Sequence, residues 1–80
     1  MFLEKSKDTV PYDNNSDDVI LINLNKVCYI RLYKKEILYF YFGKEKPKAW
    51  KYINEQKALE ALAEIKRLTA QDVYIDEEEN

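Results

Sequence analysis

Val27-Cys28-Tyr29-Ile30-Arg31-Leu32-Tyr33-Lys34-Lys35-Glu36-Ile37-Leu38-Tyr39-Phe40-Tyr41-Phe42 is the stretch that decides the fold. Two runs of β-branched, aromatic and aliphatic residues flank a three-residue polar break at 34–36, the pattern of a β-hairpin with arms 27–33 and 37–42. Period-two alternation sends Cys28, Ile30 and Leu32 to one side, with Leu38, Phe40 and Phe42. The other side receives Val27, Tyr29, Arg31 and Tyr33, with Ile37, Tyr39 and Tyr41.

Downstream, Gly43 ends the second arm, Lys44-Glu45-Lys46-Pro47-Lys48 makes a charged turn, and Ala49-Trp50-Lys51-Tyr52-Ile53 continues as a further strand. Loops this short imply antiparallel pairing throughout. Asn54 is a good helix N-cap, and Glu55-Gln56 places acidic and polar character in the first turn. Ala58, Ala61, Leu62, Ile65 and Leu68 then recur at three- and four-residue steps, giving one apolar stripe. Val73-Tyr74-Ile75 suits a brief edge strand.

Upstream, Val19-Ile20-Leu21-Ile22 is another apolar run. Asn23-Leu24-Asn25-Lys26 interrupts it, so 19–22 and 27–33 read as two strands joined by a tight turn, or as one bent ribbon. Residues 9–18 are dense in turn formers, and Phe2-Leu3-Glu4 has room for a short strand before them. The fold class expected is α+β: an antiparallel β-meander of three to five strands with one C-terminal helix on one face. A single domain spans 1–80, divided into an N-terminal segment and loop (1–18), the meander (19–53), the helix (54–70) and an acidic tail (71–80). Eighty residues leave no room for a second core, and self-association is a natural way to widen a thin margin of stability.

The composition offers catalysis little. The sequence has no histidine, one glycine and one cysteine, which removes the commonest general base and zinc ligand, glycine-rich phosphate loops and any intramolecular disulfide. Cys28, on an inward-facing strand position, reads as a small core residue. Asp13, Asn15 and Asp17 open like a calcium loop, but Asp18 stands where such a loop needs glycine and Leu24 where it needs a bidentate glutamate. No metal, cofactor or enzymatic activity is expected. The first residues lack an apolar run of signal-peptide length and no stretch is long enough for a membrane helix, so the expected location is the cytoplasm.

One helix covers one face of a sheet. The remaining face is expected to carry Tyr29, Arg31, Tyr33, Tyr39 and Tyr41, with Trp50, Lys51 and Tyr52 alongside. Tyrosine, tryptophan and arginine grouped on a surface are the hallmark of binding hot spots. Charge is segregated too: net −3 over 1–25, +6 over 26–53 and −5 over 54–80. The function expected is a non-catalytic binding or regulatory module that occupies a protein partner through this aromatic and basic face, with homo-oligomers expected. A phage or mobile-element accessory role suits the size. The alternative is a single-stranded nucleic-acid binder, since lysines at 26, 34, 35, 44, 46, 48 and 51 surround candidate stacking platforms. Against it stands a sequence pI of about 5.1.

Ile22-Asn23-Leu24, Val27 and Ile30, the hairpin, and Ala58-Leu59-Glu60-Ala61-Leu62-Ala63-Glu64-Ile65 together resemble a group of short uncharacterised bacterial and phage proteins. These share an I-N-L-x-x-V-x-x-I strand, a hairpin and an E-x-A-x-x-A-L-x-x-I helix; this chain has Gln56 at the glutamate position of the last pattern. The resemblance spans about two-thirds of the chain and implies a fold without an activity. The layout of a sheet followed by a helix opening Asn54-Glu55-Gln56 is also similar to the single-stranded-DNA-binding transcriptional coactivators, by architecture alone.

Overall fold

A computed structural model describes residues 1–69 and 74–77. Its strands are β1 (Phe2–Glu4), β2 (Thr9–Val10), β3 (Leu21–Asn23), β4 (Tyr29–Tyr33), β5 (Ile37–Tyr41), β6 (Lys48–Tyr52) and β7 (Tyr74–Glu77). A 3-10 turn (Leu24–Lys26) follows β3, and helix α1 (Glu55–Thr69) lies between β6 and β7. The fold is α+β. Five strands form the larger sheet in the order β2-β6-β5-β4-β7, and β1 pairs with β3 in a separate ribbon. No helix among the described residues is long and apolar enough to cross a membrane.

The hairpin forms where the alternation places it, with Tyr29 opposite Tyr41, Arg31 opposite Tyr39 and Tyr33 opposite Ile37. Lys34 (φ 52°) and Lys35 (φ 67°) turn it in the left-handed region, which costs non-glycine residues about 1–2 kcal/mol each. Asn54 caps α1 as its side chain suggests: its Oδ1 accepts the Lys57 N–H at 2.9 Å. The apolar stripe of the helix buries Ala58, Leu62 and Ile65 against Ile30, Leu38, Phe40 and Trp50.

Several expectations are corrected. β3 does not join the meander. The 3-10 turn, capped by the Asn23 carboxamide accepting from Asn25 N–H, redirects the chain, so Ile22 meets Leu3 across the small ribbon. The same turn resets the alternation: Val27 is buried, and Cys28 is exposed at the rim, its N–H on the Tyr41 carbonyl at 2.9 Å. Pairing is not all antiparallel, because β7 lies parallel to β4 with Asp76 opposite Arg31. This is possible because α1 supplies the crossover that parallel neighbours require. Part of the acidic tail is therefore strand; its positions 71–73 and 78–80, like Ala70, lie outside the described residues.

Candidate functional site

The face of the larger sheet away from α1 holds the tyrosines together. Half-buried Tyr29, Arg31 and Tyr33 of β4 stand beside half-buried Tyr39 and Tyr41 of β5. Ring centroids are 4.9 Å apart for Tyr29 and Tyr41, 6.2 Å for Tyr39 and Tyr41, and 5.9 Å for Tyr33 and Tyr39. These spacings are those of mutually attractive aromatic pairs. The Arg31 guanidinium and the Lys34 ammonium each sit 5.2 Å from the Tyr33 ring centre, within cation–π range. Between Arg31, Tyr33, Lys34, Tyr39 and Tyr41 opens a shallow basin of about 460 Å³.

Tyr12 completes the basin, and nothing in the hairpin pattern foretold it. It reaches over from the N-terminal loop, its ring edge-on to Tyr39 at 6.4 Å and its hydroxyl 2.8 Å from the Tyr39 hydroxyl. The loop is held by the residues that resembled a calcium site. Asp13 accepts the Asn15 N–H and the Ser16 hydroxyl, while one Asp17 carboxylate oxygen accepts the N–H groups of Tyr12 and Asp13. Both carboxylates thus satisfy their own loop's donors, the behaviour of Asx turns. Ser16 is fully buried and its Oγ accepts the Ala49 N–H at 3.0 Å, docking the loop on β6.

Trp50 and Tyr52 are not on this face, and the expectation that they share it is corrected. Trp50 pairs with Leu38, and Phe40 with Lys48, so the even positions of β6 point toward α1. Trp50 and Tyr52 are each 2% exposed, and the Trp50 ring packs on Phe40. The Trp50 indole N–H has no hydrogen-bond partner, a cost of about 1–3 kcal/mol that burying so large a ring offsets. Lys51 does share the tyrosine side, but it stands opposite Ile37 and Val10, away from the basin.

The hydrogen bond with Tyr12 pushes the Tyr39 phenol up to about 12, with burial and the neighbouring phenols adding to the effect. Because the folded value lies above the ordinary one of about 10, this contribution to stability is complete below pH ~10 and is lost as the pH climbs toward 12. Replacing Tyr12 by phenylalanine is expected to bring Tyr39 back toward its ordinary range. In a titration followed by tyrosinate absorbance, one late-ionising group then moves to lower pH. Burial holds Tyr52 high as well, so one late group persists in the variant.

Among the described residues no group of three or more His, Cys, Asp or Glu side chains is placed to hold a metal ion. Phe2, Ile20 and Leu21 are exposed apolar side chains on and beside the β1/β3 ribbon. The chain matches no family model, no curated protein and no solved structure.

Proposed function

We propose that this protein is a non-catalytic binding module that occupies a protein partner through its tyrosine face, a second copy of the chain being the first partner to test. The observation that carries the reading is the basin itself: four tyrosines, an arginine and a lysine line one open surface, with Tyr29 packed on Tyr41 beside it, and tyrosine and arginine are among the side-chain types that dominate protein hot spots. The tip of the hairpin adds support. Lysines occupy two left-handed positions where Asn-Gly would sit more easily, and the first of them, Lys34, keeps its ammonium beside Tyr33 at a conformational cost.

The nucleic-acid reading draws on the same cations but loses two stacking platforms with the burial of Trp50 and Tyr52. The remaining rings pack against one another, the Tyr29 hydroxyl donates to Asp76 at 3.0 Å, and an acidic strand flanks β4. That arrangement weakens the attraction for phosphate and suits a protein surface better.

Light scattering at low and high salt, with and without a single-stranded oligonucleotide, tests the choice. A dimer or larger species that persists in salt, ignores the oligonucleotide and dissociates when Tyr39 and Tyr41 are both changed to alanine is the result expected. Changing Phe2 and Leu21 to serine should leave that mass unaltered. Binding of the oligonucleotide that falls steeply as salt rises overturns the reading, because counterion release is the mark of phosphate contacts. Loss of mass only in the Phe2/Leu21 variant would move the interface to the ribbon.

A further inference from the structure

Among the described residues the tyrosine basin is lined by Tyr12, Arg31, Tyr33, Lys34, Tyr39 and Tyr41, two cations and four phenols without a carboxylate. The cations converge on one ring: the Arg31 guanidinium and the Lys34 ammonium each lie 5.2 Å from the centre of Tyr33. Lys34 holds its place in the left-handed region at φ 52°, so the turn keeps a charge where asparagine would sit with less strain. The surrounding stretch 26–53 carries eight Lys and Arg against two Glu.

The molecule itself supplies an example of what this face accepts. The Tyr29 hydroxyl donates to the Asp76 carboxylate at 3.0 Å, and the register of β7 sets Asp76 opposite Arg31. A carboxylate on an extended strand thus already meets the face at its Tyr29 end. At the Tyr33 end the cations stand beside the hairpin turn. This difference in charge between the two ends selects the class of occupant. A phosphodiester chain carries a charge on every nucleotide and would run its charges from the cations on toward Asp76. A polypeptide can instead concentrate its acids at one point and lay an uncharged ring beside them. In an extended segment, side chains two residues apart emerge on the same side at a spacing of roughly 7 Å, which lets two acids of one segment serve two cations around one ring. A lone carboxylate would leave most of a basin of about 460 Å³ to water, whereas an aromatic side chain on the same side of the segment packs on Tyr39 and Tyr41.

Taking the tyrosine face as the protein-binding surface proposed above, we infer that its partner presents an extended acidic segment, with carboxylates at alternate positions meeting Lys34 and Arg31 over Tyr33 and an aromatic ring against Tyr39 and Tyr41. The Arg31 guanidinium carries five donors, enough to serve a partner alongside its own neighbours. The charged contacts lie at the rim of the basin and set the preference for an acidic partner, while the rings supply the contact area.

Amide chemical-shift titrations with acetyl-Glu-Ser-Glu-Ser-Tyr-amide and with its glutamine counterpart, acetyl-Gln-Ser-Gln-Ser-Tyr-amide, at fixed low ionic strength, test the inference. Saturable shifts on β4, β5 and the Tyr12 loop are expected with the acidic peptide, with a dissociation constant on the order of 1 mM for so small a ligand. The glutamine peptide should bind roughly three- to tenfold more weakly, two exposed ion pairs being lost. Lys34→Asn should weaken the acidic peptide roughly two- to fivefold and leave the glutamine peptide unchanged; asparagine suits the left-handed turn, so the variant should fold. Lys35→Asn makes the same exchange outside the basin and should stay close to the wild type. Equal affinity for the two peptides, indifference to Lys34→Asn, or displacement of the acidic peptide by an oligothymidylate bound at the same amides overturns the inference. A dimer that depends on Tyr39 and Tyr41 but shows no preference for the acidic peptide overturns it while leaving the proposed function standing. Shifts confined to other parts of the molecule overturn both.

Discussion

Leu62→Ala is expected to destabilise the protein by about 2–5 kcal/mol, the range for emptying a buried leucine site. Leu62 is 1% exposed at the centre of the α1 stripe, between the equally buried Ala58 and Ile65. The side chains facing it, among them Trp50, Phe40 and Ile30, belong to sheet strands and have little freedom to collapse into the space. For a domain of this size, each kcal/mol lowers the melting temperature by roughly 4–8 °C, so a fall of at least about 8 °C is anticipated. Small domains hold only about 5–15 kcal/mol in total. Leu59, one turn earlier and 39% exposed, is the matched control, and its alanine variant should melt close to the wild type. Circular dichroism melts of the two variants would decide whether α1 is held by this stripe; a similar loss at both positions would contradict the packing described.

How far the sequence could be read depended on how local each signal was. The hairpin 27–42 and helix 55–69 are encoded within themselves, by alternation around a polar break and by a stripe following an asparagine cap. Strand β6 is different. Ala49-Trp50-Lys51-Tyr52-Ile53 has apolar residues at both odd and even positions, so its own pattern does not say which set faces inward. Register with β5 decides that, by putting Trp50 opposite Leu38, and a one-residue slip would exchange the faces. The strand's own pattern therefore does not reveal that Trp50 and Tyr52 face α1. Alternation does not extend to Cys28 either, because period two holds only within a strand and β4 begins one residue later.

The candidate site was legible in the same proportion. Tyr29, Arg31, Tyr33, Tyr39 and Tyr41 came directly from the hairpin. Tyr12 did not, because a loop residue reaches its partner through tertiary docking, which leaves no periodicity behind. The available signal was an aromatic residue after Pro11 within a cluster of turn formers, where solvated loops seldom need one. β7 shows the same limit: its short apolar character suggested an edge strand, but only the crossover by α1 makes it a parallel neighbour of β4.

Ser16→Ala is expected to cost about 1–3 kcal/mol and to open the basin as well, through one atom. Ser16 Oγ accepts from Ala49 N–H on β6 and donates to Asp13 Oδ2 at 2.7 Å. Alanine leaves a buried backbone N–H without a partner, the more expensive way to lose a hydrogen bond. The acid response should change with it. Donation by Ser16 is the leading reason the Asp13 carboxyl lies below its ordinary value. A depressed carboxyl contributes stability above the ordinary carboxylate range near pH 4, and that contribution is lost as the pH falls through the lowered folded value. In the alanine variant that part of the acid sensitivity should shrink, while the deficit at neutral pH remains. Because Pro11, Tyr12 and Asp13 are consecutive, a loosened loop also withdraws the Tyr12 hydroxyl from Tyr39, and the late tyrosine ionisation should move down as it does in Tyr12→Phe. Melts at several pH values and one alkaline titration of the same variant test both consequences. A variant that melts lower yet keeps the late ionisation would separate the dock on β6 from the position of Tyr12, and would show that the basin's sixth side chain is held by the sheet and not by its loop.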